Sequence, residues 1–368
     1  KDGKLLFARG YGYADVANKK PVSAEETLFR PGSVSKLFAW TAVMQLHEQG
    51  KLDLDRDINE YLDFKIPEAF GQPITLKHIL THTPGFEEQI KDLFKTGEVS
   101  PDLGEYVKTH IPTRIYPPGT TPAYSNYGTA LAGYIVERVS GRPFNDYVAE
   151  NIFQPLGMSR STFVQPLPEE LAAGMSSGYR LGSDDTTVPF EVVVPFPAGS
   201  LSSTSVDMAK FMLAHLQLGQ LDGARILNPE TASLMHSRLL ALDPAANAMA
   251  YGFYEESRNG QRIIGHAGDT MAFHSDLHLI LDQGVGFYVS YNSGGKGEVS
   301  PRTILWEAFL DRYFPFTVPA GPALESAKEN AATVSGSYML SRRAETSFLR
   351  VASVLGEATV TALDDGRI

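Results

Sequence analysis

The stretch from Phe29 to Phe38 reads FRPGSVSKLF, and two readings of it lead to different proteins. Pro-Gly followed by small polar residues marks the start of a helix. The run after it, Val34 to Gly50 (VSKLFAWTAVMQLHEQG), is apolar at helical spacing, with Gly50 where a C-terminal stop belongs. Its apolar face is wide, which predicts a buried helix. In the first reading Ser33 caps that helix and Lys36 faces water. In the second, Ser33 is a nucleophile and Lys36, three residues on and on the same face, activates it. A serine at a helix N-terminus sits where backbone N–H groups stabilise a developing oxyanion. A lysine acts as a base once burial has disfavoured its charged form.

The bare pattern does not choose between them. Ser-x-x-Lys recurs at Ser293 to Lys296, in a Gly-rich turn after a strand, where no helix holds the two side chains together. Two patterns further along are unique in the chain: Tyr124-Ser125-Asn126, in a loop just after YPPG, and His266-Ala267-Gly268, at the end of the apolar run RIIGHAG.

Outward from these motifs, residues 4 to 16 alternate and predict a strand. Residues 51 to 123 predict short helices and Pro/Gly loops. GTALAGYIVERVS (128 to 140) predicts an apolar helix, and LSSTSVDMAKFMLAHLQLG predicts a helix started by serine and threonine caps. Strand patterns return as YGFYEE, QRIIGHAG, SDLHLILD and GVGFYVSYN, and a helix, RTILWEAFLDRYF, follows. The expected fold is α+β: one sheet built from both ends of the chain, flanked by helices, with a mostly helical lobe inserted. The sheet lobe is expected over about 1–50 and 245–316 and the helical lobe over about 51–244. A small-residue linker is expected at 317–335, and the start of a C-terminal β-rich accessory unit at 336–368.

With 368 residues and 43% apolar content the chain suits a sizeable globular core, and its net charge of −11 argues against nucleic acid or an anionic membrane surface as partner. The absence of cysteine excludes disulfides, thiolate metal sites and a cysteine nucleophile. No run reaches the roughly 20 apolar residues of a membrane helix. Both ends carry interrupted hairpin signals, Asp2-Gly3 and Asp365-Gly366, so a signal or anchor upstream and more chain downstream are expected.

The order Ser-x-x-Lys, Tyr-x-Asn, His-x-Gly resembles the penicillin-recognising serine hydrolases, in particular their branch of class C β-lactamases, D,D-peptidases and family VIII esterases. The block PPGTTPAYSNYGTALAGYIVERVSGRPFNDYVAENIFQPLGMSRSTF is similar to that family's central segment, as are LKHILTHTPGF and PAGSLSSTSVDMAKFM. The resemblance covers residues 1 to about 316. It implies a β-lactamase/transpeptidase-like fold and an acyl-enzyme on Ser33. Lys36 would take the serine's proton, Tyr124 would share acid–base work, and Asn126 would orient substrate and lysine. The oxyanion hole would come from the N–H groups of Ser33 and Asp269. It also implies work outside the cytoplasm.

The third motif departs from the family's Lys-Thr-Gly. His266 is mostly neutral near pH 7 if unperturbed, and Ala267 offers no hydroxyl. An Asp269 carboxylate pointing inward would repel anionic substrates. These changes favour small esters, amides or peptides over anionic β-lactams. The alternatives are a class C-type β-lactamase, or a binding protein of the same fold that acylates without turnover. No cofactor, nucleotide or metal is expected, and no oligomeric state is read.

Other patterns are weaker. Gly174 to Gly178 (GMSSG) matches the nucleophile elbow of α/β-hydrolases around Ser176 but lacks the strand before and helix after. His78 and His82 are spaced like metal ligands without a third, and read as helix packing. His274, Asp276 and His278 alternate, and read as a polar sheet face. The aromatics of YGYADV and YGFYEE read as packing or pocket wall.

Overall fold

The computed structural model describes residues 1–97, 102–182, 186–317, 325–353 and 356–368. At its centre lies the helix Lys36–Glu48 (α1), buried from Lys36 through Leu46. Phe38 and Trp40 are wholly enclosed; each apolar side chain of that size stabilises the fold by about 1.5–3 kcal/mol. Gly50 follows in a left-handed conformation, φ +68°, the stop that its position suggested.

Asn126–Ser140 (α2) packs against α1. Ser125 caps it by accepting a hydrogen bond from the Gly128 N–H at 3.0 Å, and Gly141 ends it at φ +71°. Ser205–Leu216 (α3) is capped by Thr204, whose hydroxyl accepts from the Asp207 N–H at 3.2 Å.

The principal sheet has four antiparallel strands in chain order: Tyr254–Glu255 (β1), Ile263–Asp269 (β2), His274–Ile280 (β3) and Val285–Tyr291 (β4). In the register Ile264 faces Leu279, His266 faces Leu277, and Asp269 faces His274. Alternation sorts side chains to two faces. Ile264, Leu277 and Leu279 join the main core with α1 and α2. Ile263 and Ile280 join a second core with Trp306 and Leu310 of the helix Pro301–Tyr313 (α4).

Two expectations need correction. The first strand does not extend over residues 4 to 16: only Tyr13–Asp15 is strand, and it pairs with Lys20–Pro21. The sheet is therefore built from late strands alone. Leu5, Leu6 and Phe7 are exposed, and alternation in the sequence carries no information on whether a partner edge is within reach. The stretch 317–335 is not all linker. Residues 318–324 lie outside the described residues, but Ala327–Val334 is helical and Ala331 is buried, as its alanine content permits. Residues 336–368 hold one antiparallel pair, Gly336–Tyr338 with Ala358–Val360, and the segment Ser341–Thr346 is hydrogen-bonded to the body of the molecule.

Candidate active site

The start of α1 separates the two readings of Ser33. One turn of 3-10 helix, Gly32–Ser35, leads into it, and no side chain caps either segment. Ser35 does the local bonding: its hydroxyl donates to the Gly32 carbonyl at 2.6 Å and accepts from the Leu201 N–H at 3.2 Å. The Ser33 hydroxyl is left for side chains. Lys36 Nζ donates to Ser33 Oγ at 3.0 Å, and the Tyr124 hydroxyl donates to the same oxygen at 2.6 Å. The capping reading of Ser33 fails, and so does the solvent-facing reading of Lys36, which has no exposed surface.

Lys36 Nζ also donates to Asn126 Oδ1 at 2.8 Å and to the Ala198 carbonyl at 2.7 Å. An ammonium would donate to all three; the neutral amine has two protons, for Asn126 and Ala198, and a lone pair that can accept from the Ser33 hydroxyl. The Tyr-Ser-Asn spacing follows from the capping geometry. Ser125 is extended, φ −135°, ψ 116°, so Tyr124 and Asn126 project to one side while Ser125 turns back onto α2.

Two glycines bring β2 against the start of α1. A Cβ on Gly268 would lie 1.9 Å from the Pro31 carbonyl oxygen and 2.7 Å from the Ser33 nitrogen. One on Gly32, whose φ is +56°, would lie 2.6 Å from the Asp269 nitrogen. Any side chain at either position pushes the seam apart, and this seam carries the two backbone N–H groups, of Ser33 and Asp269, named as the oxyanion hole.

Burial sets the charges. It holds the Lys36 amine well below its ordinary pKa, and the guanidinium of Arg342 adds to the effect. The same burial pushes the Tyr124 phenol well above its ordinary range, against the hydrogen bond to Ser33. His266 is pushed down to about 3 by burial and then by Lys36, so it is neutral. Its Nδ1 lies 2.5 Å from the Ala267 carbonyl oxygen. A carbonyl only accepts, so Nδ1 carries the proton and Nε2 keeps its lone pair. His266 therefore supplies neither a positive charge nor a donor at Nε2.

Asp269 does not face Ser33. Three residues after His266 on a strand, it projects to the opposite face. There its carboxylate accepts from Arg302 Nη2 at 3.0 Å and pairs with His274 Nδ1 at 2.6 Å. The carboxylate therefore repels nothing at Ser33, contrary to the expectation from sequence, and only the Asp269 backbone N–H lies at the seam. His274, Asp276 and His278 do form a polar sheet face, covered by α4. Asp276 reaches Arg302 Nε at 3.6 Å, and His278 stacks on Trp306 with ring centroids 3.9 Å apart.

The weaker serine motifs fall away. Ser176 is buried, donates to the Ala14 and Ser177 carbonyls, and precedes a short strand, Gly178–Tyr179. Lys296 is exposed, and among the described residues no acceptor reaches it. The two histidines of KHILTH separate: His78 Nδ1 accepts from the Thr75 N–H in a capping box, whereas His82 lies beyond the helix at φ +53°.

His82, the Ala198 carbonyl, Tyr254 and Arg342 are site residues that the motifs missed. The His82 ring packs 4.6 Å from that of Tyr124, and its Nδ1 accepts from the Ser125 N–H at 3.2 Å. Tyr254 packs edge-on to His266 at 5.2 Å. A loop histidine in left-handed backbone beside the motif tyrosine leaves a faint trace in LTHTPGF. Arg342 leaves none.

This fold and this cluster have known counterparts. The chain belongs to the Beta-lactamase family, whose model matches residues 1–308. It is 28% identical over 329 residues to Penicillin-binding protein 4 of Amycolatopsis lactamdurans, covering 85% of this chain and 84% of that protein. It spans 52% and 58% of two further curated relatives. Among solved structures it is similar to the octameric penicillin-binding protein homologue of Pyrococcus abyssi, with TM-score 0.71, 25% identity, and 92% of this chain and 77% of that chain covered. It is also similar to the D-amino acid amidase of Ochrobactrum anthropi, with TM-score 0.66, 25% identity, and 82% and 88% covered. These place the chain among the penicillin-recognising serine hydrolases, with an α+β fold of the β-lactamase and penicillin-binding-protein type. Among the described residues no helix is long and apolar enough to cross a membrane.

Proposed function

We propose that the protein is a serine hydrolase that forms an acyl-enzyme on Ser33 and cleaves small esters or the amide and peptide bonds of D-amino-acid derivatives. The observation that carries this reading is the convergence of Lys36 Nζ and the Tyr124 hydroxyl on Ser33 Oγ, at 3.0 and 2.6 Å. Ser33 Oγ attacks the substrate carbonyl carbon, and its proton passes to Lys36 Nζ. The depressed pKa of Lys36 makes a neutral amine accessible, whereas the raised pKa of Tyr124 disfavours a phenolate. Lys36 is thus the base, and Tyr124 stays protonated. The oxyanion forms at the seam between the Ser33 and Asp269 N–H groups. As the tetrahedral intermediate collapses, Tyr124 gives its proton to the departing oxygen or nitrogen and regains one from Lys36. Water then attacks the ester on Ser33 by the reverse relay.

The substrate class follows from the third motif. A neutral His266 offers an acceptor for a substrate N–H or hydroxyl and no cation. The likeness to a D-amino acid amidase supports the amide branch of the reading. Work in an extracytoplasmic compartment is part of the proposal and rests on the family resemblance.

A fluorophosphonate followed by peptide mass spectrometry tests the nucleophile. The adduct is expected on Ser33, and labelling at Ser176 or Ser293 overturns the assignment. Turnover of p-nitrophenyl butyrate, a D-amino-acid amide and a chromogenic cephalosporin, each on wild type and Ser33→Ala, ranks the substrates. A burst of one product per enzyme with no further turnover would replace hydrolysis by a binding role.

A further inference from the structure

The segment Ser341–Thr346 lies against the loops that carry the site. The Tyr116 hydroxyl donates to the Ser341 carbonyl at 3.1 Å, and the Ser341 hydroxyl donates to the Pro122 carbonyl at 2.5 Å, two residues before Tyr124. The Glu88 N–H donates to the Arg343 carbonyl at 2.9 Å. The Glu87 carboxylate accepts the N–H groups of Glu345 and Thr346 at 2.6 and 2.8 Å. Ala344 between them is buried. Anchored at both ends, the segment forms a strap, and Arg342 is the residue it holds over the Tyr124 ring. The guanidinium carbon lies 4.7 Å from the centre of the Tyr124 ring. Nε donates to the Glu88 carboxylate. Among the described residues neither Nη nitrogen has a hydrogen-bond partner, and the side chain is 44% exposed. Four N–H donors therefore stand free beside Tyr124.

We propose that Arg342 is a specificity-determining residue, presenting its free guanidinium edge to a carboxylate on the leaving group of the substrate. The proposal rests on the acyl-enzyme reading above, which makes Tyr124 the proton donor to the leaving group. A cation stacked on Tyr124 then stands on the leaving-group side. The opposite wall cannot do this work, because His266 has its Nδ1 proton committed to the Ala267 carbonyl and the Asp269 side chain is turned away. A guanidinium suits the task in two ways. Its flat face stacks on the phenol, and its Nη edge matches the two oxygens of a carboxylate. The bond from Nε to Glu88 fixes the orientation of that edge and leaves it unblocked. The strap thus brings a positive charge from late in the chain to a site whose strand motif lacks one.

The test uses two aryl esters of butyric acid: p-nitrophenyl butyrate and its analogue bearing a carboxylate on the nitrophenyl ring beside the nitro group. The quantity read is the ratio of kcat/KM, anionic ester to neutral ester. In Arg342→Gln the ratio is expected to fall about five- to tenfold. Arg342→Lys, which keeps the charge but loses the fork, is expected to fall less. The wild-type ratio should also decline with added salt, a decline that Arg342→Gln loses. An unchanged ratio in folded Arg342→Gln overturns the proposal. So does an equal rise for both esters, which would make the strap a mere obstruction, or an equal fall, which would make it a structural brace. If Arg342→Gln does not fold, a wild-type ratio indifferent to salt overturns it instead. Absence of any turnover that Ser33→Ala abolishes is a different failure: it overturns the acyl-enzyme reading, and this proposal with it.

Discussion

His266 and His278 stand on adjacent strands of one sheet, both buried, and they carry opposite tendencies. On the site face, burial and the neighbouring Lys36 push His266 down to about 3. On the outer face the same burial is outweighed: Asp276 and Glu256 raise the pKa of His278, with Glu256 Oε2 at 2.7 Å from Nδ1. The two environments differ in the sign of the nearest charge and hardly at all in depth. Burial fixes how strongly a charge is felt, and the neighbours fix which form wins. The site face collects basic groups around Ser33 and so favours neutral nitrogen. The outer face pairs charges between the sheet and α4, and so serves to hold the lobe together. If this division is right, damage to one face costs turnover and damage to the other costs stability.

The largest effect is expected at the nucleophile. Ser33→Ala should lower kcat by roughly 10⁴-fold or more, measured on p-nitrophenyl butyrate, while the melting temperature stays within a few degrees. A residual rate within tenfold of wild type would move the chemistry elsewhere. Next come its two partners. Lys36→Ala and Tyr124→Phe should each cost about 10²- to 10⁴-fold in kcat, and the double variant far less than the product, because one proton relay is broken only once. Multiplicative losses would separate their roles.

The pH profile sharpens the electrostatic contrast. With the neutral amine of Lys36 as the proposed base, kcat/KM should rise with pH along a limb that lies well below the ordinary lysine value of 10.5. Arg342 contributes to that depression; in Arg342→Gln the amine holds its proton more tightly, and the limb should move to higher pH. A limb that stays in place would remove Arg342 from the electrostatics of the base.

The outer face gives a smaller effect of a different kind. The folded pKa of His278 is raised above the value near 6.5 that it has in the unfolded chain. Its stabilisation is therefore complete below about pH 6.5 and is lost as pH climbs through the raised folded value. In His278→Asn this loss should disappear from a denaturant-based stability profile, with kcat/KM close to wild type. A variant that loses turnover and keeps the pH slope would reverse the assignment of the two faces. The smallest effect belongs to the second Ser-x-x-Lys: Ser293→Ala should leave kcat within twofold, since no helix joins that serine to Lys296.

Much of the site was legible because it is local. Ser33 and Lys36 share a helical face, and Tyr124 and Asn126 flank a capping serine; both relations are fixed by backbone periods that sequence carries. The outward turn of Asp269 was equally legible, since an odd offset along a strand reverses the face. The missing first strand and the helix at Ala327–Val334 were less accessible. Alternation predicts a strand only where an edge is free to pair, and a run of small residues suits a linker and a helix about equally well.

The amino-acid sequence by itself determined the helix that begins at Ser33 and Lys36, the order of the three motifs, the histidine in place of a strand lysine, and the family to which these belong. Each is a matter of residue type at short separation. The tertiary structure alone decided which of two Ser-x-x-Lys patterns gathers partners, how far the Lys36 and Tyr124 pKa values separate, and that Arg342 lies over Tyr124. Those depend on burial and on charges brought together from distant parts of the chain. Both the desolvation penalty and Coulomb's law act through distance in space, to which spacing along the chain is no guide.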